Sequence, residues 1–230
     1  DLEYVNGENT LLLGYHPGSS ATIKDSVGNN ANLTLPNIGS SSSLAGSSAL
    51  VIDTTGPTVT EVSSSTADGS YKAGDTISIN VVFSESVIVD TTNGTPTLEL
   101  ETGTTNRTAT YSSGSGSSTL AYSYTIQAGD YATDLDYTYQ PLLLNSGTIK
   151  DSAGNDATLT LPTVGGSSSL SGNSSLVIDT TAPSAPSSLT TAATTTSDTT
   201  PTITGTAEAG STIKLYSGTT LLGSATADSD

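Results

Sequence analysis

Acidic side chains are the groups in this sequence with the clearest capacity for chemistry. Asp and Glu total 22 against 5 Lys and Arg, so the formal net charge is −17. Cys is absent and His occurs once, at His16, which excludes disulfides, thiol nucleophiles and thiolate metal sites. Carboxylate oxygens are the ligands that Ca²⁺ takes in proteins. Ca²⁺ is therefore the expected cofactor, and the alternative is that the charge only keeps a surface rich in Ser and Thr soluble.

The few cations exclude two classes of partner. Binding to nucleic acid or to anionic lipid requires clustered Lys and Arg, and the five cations of this chain are scattered. No apolar run approaches the ~18 residues that a membrane-spanning helix needs. We therefore expect no nucleic-acid partner and no membrane insertion.

Two near-identical segments predict the organisation of the chain. Residues 22–57 (the first repeat) and 148–183 (the second repeat) are identical at 26 of 36 positions, at a constant offset of 126 residues. Such spacing is typical of a tandem array. We interpret 1–56 as the C-terminal half of one module, 57–182 as a complete module, and 183–230 as the N-terminal half of a third, different module.

The elements that position the acidic residues are predicted to be strands. Four segments alternate apolar and polar residues at period 2, and Gly-rich turns separate them. These segments are 59–62, 77–81, 98–100 and 120–124. The pattern predicts an all-β fold of tandem Ig-like or cadherin-like antiparallel β-sandwich modules, without helix.

Several sequence blocks in fixed order resemble a known family. The blocks DTTGPTV, GDTISINVVFSESVIV, GTPTLELETG and TIKDSAGNDATLTLP resemble the repeat of giant bacterial surface proteins, such as the swimming-associated surface proteins of marine cyanobacteria and the extender regions of long adhesins. The tail, TPTITGTAEAGSTIKLYSGTTLLGSATAD, resembles a second Ig-like class of biofilm adhesins. The resemblance implies an extracellular stalk at the bacterial cell surface.

Counting strands as alternately up and down predicts where the acidic residues meet. One junction is expected to gather Asp25, Asn29, Asp53, Glu85, Asp130, Asp134 and Asp136. The next junction is expected to gather Asp151, Asn155, Asp156 and Asp179, with Glu208 and Asp228 from the third module. Ca²⁺ takes about six to eight oxygen ligands, so ions at both junctions are predicted to stiffen the linkers. The alternatives are an ordinary Asx turn for Asp25 and Asp151 and a solvated loop for Asp134 and Asp136.

Three functions stay open at this stage. The first is a structural extender whose partners are neighbouring modules of the same chain. The second is a glycan- or protein-binding module that uses loop 14–21. The third is a filament subunit whose half modules are completed by other copies through strand exchange. An enzyme is not expected, because a Ser-His-Asp triad would need His16, and the stretch before the second repeat shortens the loop that carries it to residues 145–147.

Overall fold

The computed structural model describes residues 24–32, 34–191 and 200–228, and the backbone of two short strands before them. Loop 14–21 with His16, on which the binding alternative depends, lies outside the described residues. The described elements are, in chain order, β1 (Leu2–Tyr4), β2 (Leu11–Leu13), α1 (Leu44–Ser47), β3 (Val59–Ser64), β4 (Gly69–Tyr71), β5 (Thr76–Asp90), β6 (Thr97–Leu100), β7 (Arg107–Ser113), β8 (Ser117–Thr125), β9 (Tyr131–Ala132), β10 (Thr148–Lys150), α2 (Leu170–Asn173), β11 (Leu176–Asp179), β12 (Ser187–Thr191), β13 (Ile203–Thr206), β14 (Thr212–Ser217) and β15 (Thr220–Thr226).

The largest sheet is organised around β5, a strand of 15 residues. Along one edge, β5 pairs antiparallel with β8, and β7 and β6 extend the sheet beyond it. Along the other edge β5 changes partner, because β3 pairs with residues 79–83 and β10 pairs with residues 88–90. Residues 84–87 of β5 therefore pair with neither β3 nor β10 along this edge.

A second, three-stranded sheet closes the module. β11 lies between β4 and β9, antiparallel to β9 but parallel to β4. Among the strands that the structure describes, this is the one parallel pair in otherwise antiparallel sheets. β4 and β11 are far apart in sequence, so no hairpin turn forces them to be antiparallel.

The core lies between these two sheets. In β5 every second residue from Ile77 to Phe83 is buried, and the residues between them are partly exposed. This alternation follows from the period of two along a strand. From the opposite sheet, β11 contributes Leu176 and Ile178, both fully buried, to the same cluster. The prediction of an all-β fold is confirmed.

Each repeat contains a single helical turn that the alternation pattern did not predict. α1 and α2 occupy equivalent positions, and Ser43 and Ser169 cap their N-termini by accepting a hydrogen bond from the N–H three residues on. A Cβ on Gly172 would lie 2.0 Å from the Gly166 carbonyl oxygen, so only glycine permits this tight return of the chain. The same local sequence thus gives the same turn in both repeats.

The C-terminal region contains two separate two-stranded sheets. β12 pairs with β13, and β14 pairs with β15, all antiparallel. Apolar side chains of these strands remain exposed, among them Leu189, Tyr216 and Leu222.

Candidate metal site

The linker between the first repeat and the module is bound to the surface of the module. The Thr158 N–H donates to the carbonyl of Pro57 at 2.7 Å. The Asn155 side chain donates from Nδ2 to the carbonyl of Asp53 at 3.1 Å. These contacts join residues that lie about a hundred positions apart in the sequence, and they fix the linker against the turn that follows β10.

Gly56 permits the closest part of this contact. A Cβ at this position would lie 2.2 Å from the carbonyl oxygen of Asp156. Both groups belong to the backbone, so no side-chain rotation would relieve such a contact. The equivalent residue of the second linker is Ala182, so the second linker cannot make the same approach to a backbone.

Glu85 reaches the linker because β5 changes partner at this point. It lies between Phe83, the last residue of β5 that pairs with β3, and Ile88, which pairs with β10. The chain enters the module beside it, where Ser84 donates its N–H to the Thr58 carbonyl at 2.8 Å. The half-buried Glu85 carboxylate therefore lies beside the linker.

Asp151 begins the turn that follows β10. Its carboxylate accepts the backbone N–H and the Nδ2 of Asn155, both at 2.8 Å. Gly154 in the same turn has a φ of 96°, a conformation that glycine adopts without steric cost. Burial raises the pKa of Asp151, but the hydrogen bonds from Asn155 outweigh that effect, and the pKa is lowered. Asp151 is thus a buried carboxylate that is held ionised.

Asp53, Glu85 and Asp151 form a cluster that could hold a metal ion. One carboxylate oxygen from each lies within 4.8 Å of the others. At that separation two unit charges repel each other by about 1–3 kcal/mol, depending on whether the dielectric is that of water or of a protein surface. The donor set consists of oxygen only, which is the preference of hard cations such as Ca²⁺. Among the described residues, these are the acidic side chains that meet in a group of three.

The cluster corrects the predicted grouping. Asp53 and Glu85 were expected at one junction, and the structure brings them together. Asp151 and Asn155 were expected at the next junction. Because β10 pairs with the C-terminal part of β5, the turn that follows β10 instead lies beside Glu85. The predicted position of Asp151 and Asn155 is therefore wrong.

Asp130 lies at the opposite end of β5 from Glu85. Its carboxylate accepts hydrogen bonds from Arg107 Nε at 2.8 Å, from the Tyr124 hydroxyl, and from the Gln127 N–H at 2.7 Å. Burial raises its pKa, but the hydrogen bonds from Tyr124 and Arg107 outweigh this effect and the pKa is lowered. The strand count gave β8 the same direction as β5, which is wrong because the two strands are antiparallel.

Asp134 and Asp136 accept hydrogen bonds from residues of the second repeat. Asp136 is buried and accepts from the Ser171 hydroxyl at 2.7 Å and the Gly165 N–H at 3.0 Å. Asp134 is exposed and accepts the Leu176 N–H at 3.3 Å. The solvated-loop alternative is therefore wrong for Asp136.

The other predicted ligands lie in local turns outside the cluster. Asp25 accepts the backbone N–H and the Nδ2 of Asn29, both at 2.8 Å, and these hydrogen bonds lower its pKa. Asp179 accepts the Thr181 N–H at 2.9 Å, and Glu208 is exposed in the turn before β14. Metal binding by these residues stays a prediction.

Two residues with structural roles were not predicted from sequence: Gly56 in the linker beside the cluster, and Arg107, which pairs with Asp130 at the opposite end of β5. Gly56 was detectable, because the repeats differ there by a single methyl group. Arg107 gave no signal, since one cation in a polar segment does not reveal its partner.

No family model, curated protein or solved structure matches this chain. Among the described residues, no helix is long and apolar enough to cross a membrane.

Proposed function

We propose that this chain is a structural extender segment of a giant bacterial adhesin or surface filament at the extracellular surface. Its modules connect end to end, and Ca²⁺ bound by Asp53, Glu85 and Asp151 stiffens the connection between the first repeat and the module. The partners of the module are its neighbours in the same chain.

One observation carries this proposal: the linker supplies one carboxylate and the module supplies two. Asp53 belongs to the linker, whereas Glu85 and Asp151 belong to the module. A cation shared by all three would tie linker to module. Without a cation, three carboxylates within 4.8 Å repel one another, and the repulsion favours release of the linker.

The test compares the protein in Ca²⁺ and in chelator, with Asp53→Ala and Asp179→Ala as matched variants. Asp53 and Asp179 are equivalent in the two repeats, and each accepts a hydrogen bond from the N–H two residues on, at 3.0 Å and 2.9 Å. Both variants lose that local bond, but only Asp53→Ala removes a carboxylate from the cluster. A difference between the variants therefore reports on the cluster.

Extracellular calcium modules bind at about 10⁻⁴–10⁻³ M. At a concentration about 100-fold above the dissociation constant, binding stabilises the folded state by about 2.7 kcal/mol. The melting temperature of the wild type should then rise by about 5–10 °C in Ca²⁺, and small-angle scattering should show a longer particle. Asp179→Ala should keep this response and Asp53→Ala should lose most of it. Identical melting and scattering of the wild type in both conditions would refute the role of Ca²⁺.

A further inference from the structure

An open groove lies in the complete module, between segments 137–141 and 160–164. Its volume is about 410 Å³, within the range of about 300–1,000 Å³ that small-molecule sites occupy. Leu161 and Val164 are half-buried residues of its lining, whereas Tyr139 is 89% exposed. The Tyr139 ring therefore contributes little to packing within the module and is free to contact a ligand.

The groove is complete within one module. Both segments belong to residues 57–182, and no described residue of the two neighbouring modules lines the groove. Two hydrogen bonds join its walls. The Tyr137 hydroxyl donates to the Pro162 carbonyl at 2.8 Å, and the Leu142 N–H donates to the Leu159 carbonyl at 3.2 Å. The fold therefore fixes the width of the groove, and a ligand does not need to order it.

The main chain beside the groove is not open to a peptide strand. Segment 137–143 pairs antiparallel with β6 at both of its ends, so this edge of the large sheet is already covered. Pro-rich peptides bind instead to grooves lined with aromatic rings. Tyr137 is buried, which leaves Tyr139 as the one exposed ring among the residues that line the groove. Neither mode of peptide recognition fits this surface.

The polar side chains around the groove are uncharged. None of the lining residues is Lys, Arg, Asp or Glu, so a charged ligand would have no partner of opposite charge there. The net charge of −17 also disfavours anions. Within the described part of the chain, the side chains of Gln140, Thr160 and Thr163 are exposed and make no hydrogen bond. The groove thus offers amide and hydroxyl groups to an uncharged, polar ligand.

An exposed aromatic ring beside free amide and hydroxyl groups matches the chemistry of a neutral sugar. One face of a pyranose ring carries C–H groups that pack against an aromatic ring. The sugar hydroxyls donate and accept hydrogen bonds, as do the side chains of Gln and Thr. Tyr supplies a large, rigid contact area at a low cost in conformational entropy.

The aromatic rim distinguishes this module from the copy before it. The blocks DLDY and LLL of residues 134–144 align with DLEY and LLL of residues 1–13. Between these blocks, TYQP stands where the other copy has VNGENT. The second wall differs less, with TLPTV in place of TLPNI. Sequence variation in a surface loop on a shared scaffold is typical of binding sites.

We propose that this groove binds a neutral glycan. The Tyr139 ring packs against one sugar ring, and Gln140, Thr160 and Thr163 form hydrogen bonds with its hydroxyls. The site uses none of the three clustered carboxylates, so it acts whether or not a cation stiffens the linker. Glycan binding adds attachment along the stalk to the proposed role as an extender.

The test titrates the whole chain with cellopentaose, maltopentaose and the pentamer of N-acetylglucosamine, followed by two-dimensional NMR. At least one of these sugars should bind with a Kd of about 0.1–1 mM and shift the amide signals of segments 137–141 and 160–164. Tyr139→Ala should weaken binding about tenfold, whereas Tyr139→Phe, which keeps the ring, should stay within about twofold. Gln140→Ala should weaken binding by about threefold to tenfold.

Tyr131→Ala is the matched control, because Tyr131 is a tyrosine of β9 that is 55% exposed and lies outside the groove. It should leave sugar binding unchanged. Both alanine variants should melt within about 2 °C of the wild type, since substitutions of exposed residues have small effects on stability. Equal weakening of binding by Tyr131→Ala and Tyr139→Ala would overturn the proposal.

Two further probes cover the other ligand classes, namely an acidic pentamer of galacturonate and a proline decamer. If either saturates the groove while the neutral sugars do not, the proposal is wrong. It is also wrong if none of the three neutral sugars shifts the amides of the groove at about 10 mM, ten times the weakest Kd expected.

Discussion

Gly56→Ala should release the linker from the module. The added Cβ would lie 2.2 Å from the Asp156 carbonyl oxygen, so the linker must move away by about 1 Å to restore an ordinary contact. That movement breaks the hydrogen bond from Thr158 to Pro57 and the bond from Asn155 to the linker, which have lengths of 2.7 Å and 3.1 Å. Two such hydrogen bonds contribute about 2 kcal/mol together.

A lower entropy of the unfolded chain offsets part of this loss of stability. Replacing Gly with Ala reduces the entropy of the unfolded chain and stabilises a protein by about 0.4–1 kcal/mol where the native site accepts the methyl group. The net loss in the free energy of unfolding should be about 1–2 kcal/mol, which lowers the melting temperature by about 2–8 °C. Hydrogen exchange of the Thr158 amide gives a local readout, and its protection should fall in the variant.

Ala182→Gly is the matched control, because position 182 is the counterpart of position 56 in the second repeat and is exposed. It should leave the exchange of the Thr158 amide unchanged. If Gly56→Ala instead raises the melting temperature and keeps this amide protected, the entropy of the unfolded state dominates. The inference that the linker is tightly bound would then be wrong.

Two further predictions concern the core and the buried ion pair. Leu170→Ala should lower the free energy of unfolding by about 2–5 kcal/mol, whereas Leu44→Ala, its exposed counterpart, should change it by less than about 0.5 kcal/mol; urea denaturation measures both. Asp130→Asn should cost about 2 kcal/mol at neutral pH, because it removes the charged partner of Arg107. The lowered pKa of Asp130 means that this stabilisation is complete above the unfolded value near 3.9 and is lost as the pH falls through the lower, folded value. The melting temperatures of variant and wild type should therefore converge below about pH 4, and a constant difference down to pH 2 would contradict this role.

Alternation predicted β3, β5, β6 and β8 from sequence, and one of the strands that it missed had a large effect. β7 has the sequence RTATYSS, in which Ala109 is the buried position. Without an apolar stripe it gave no strand signal. One missed strand reverses the direction of every later strand in an up-and-down count, which is why Asp130 was placed beside Glu85.

The candidate site was predictable only in part, for a similar reason. Asp53 lies at the end of the first repeat, four residues before Pro57, so its position near the start of the module could be predicted from sequence, although the structure has no strand directly before it. Asp151 required knowledge of which strand β10 pairs with, and three residues such as Thr-Ile-Lys do not specify a partner. The burial of Leu170 but not of Leu44 also depends on neighbours, since the two residues are identical and their local turns are the same.

The antiparallel pairing of β3 with β5 has a mechanical consequence. The chain enters the module beside Phe83 and leaves it near Thr180, which donates to the Asp130 carbonyl at the opposite end of β5. Tension between these two points runs along β3, and the hydrogen bonds of an antiparallel pair lie perpendicular to the strands. The load therefore shears the β3–β5 bonds together instead of opening them one at a time. Resistance to a pull is then set by the rate of unfolding rather than by equilibrium stability.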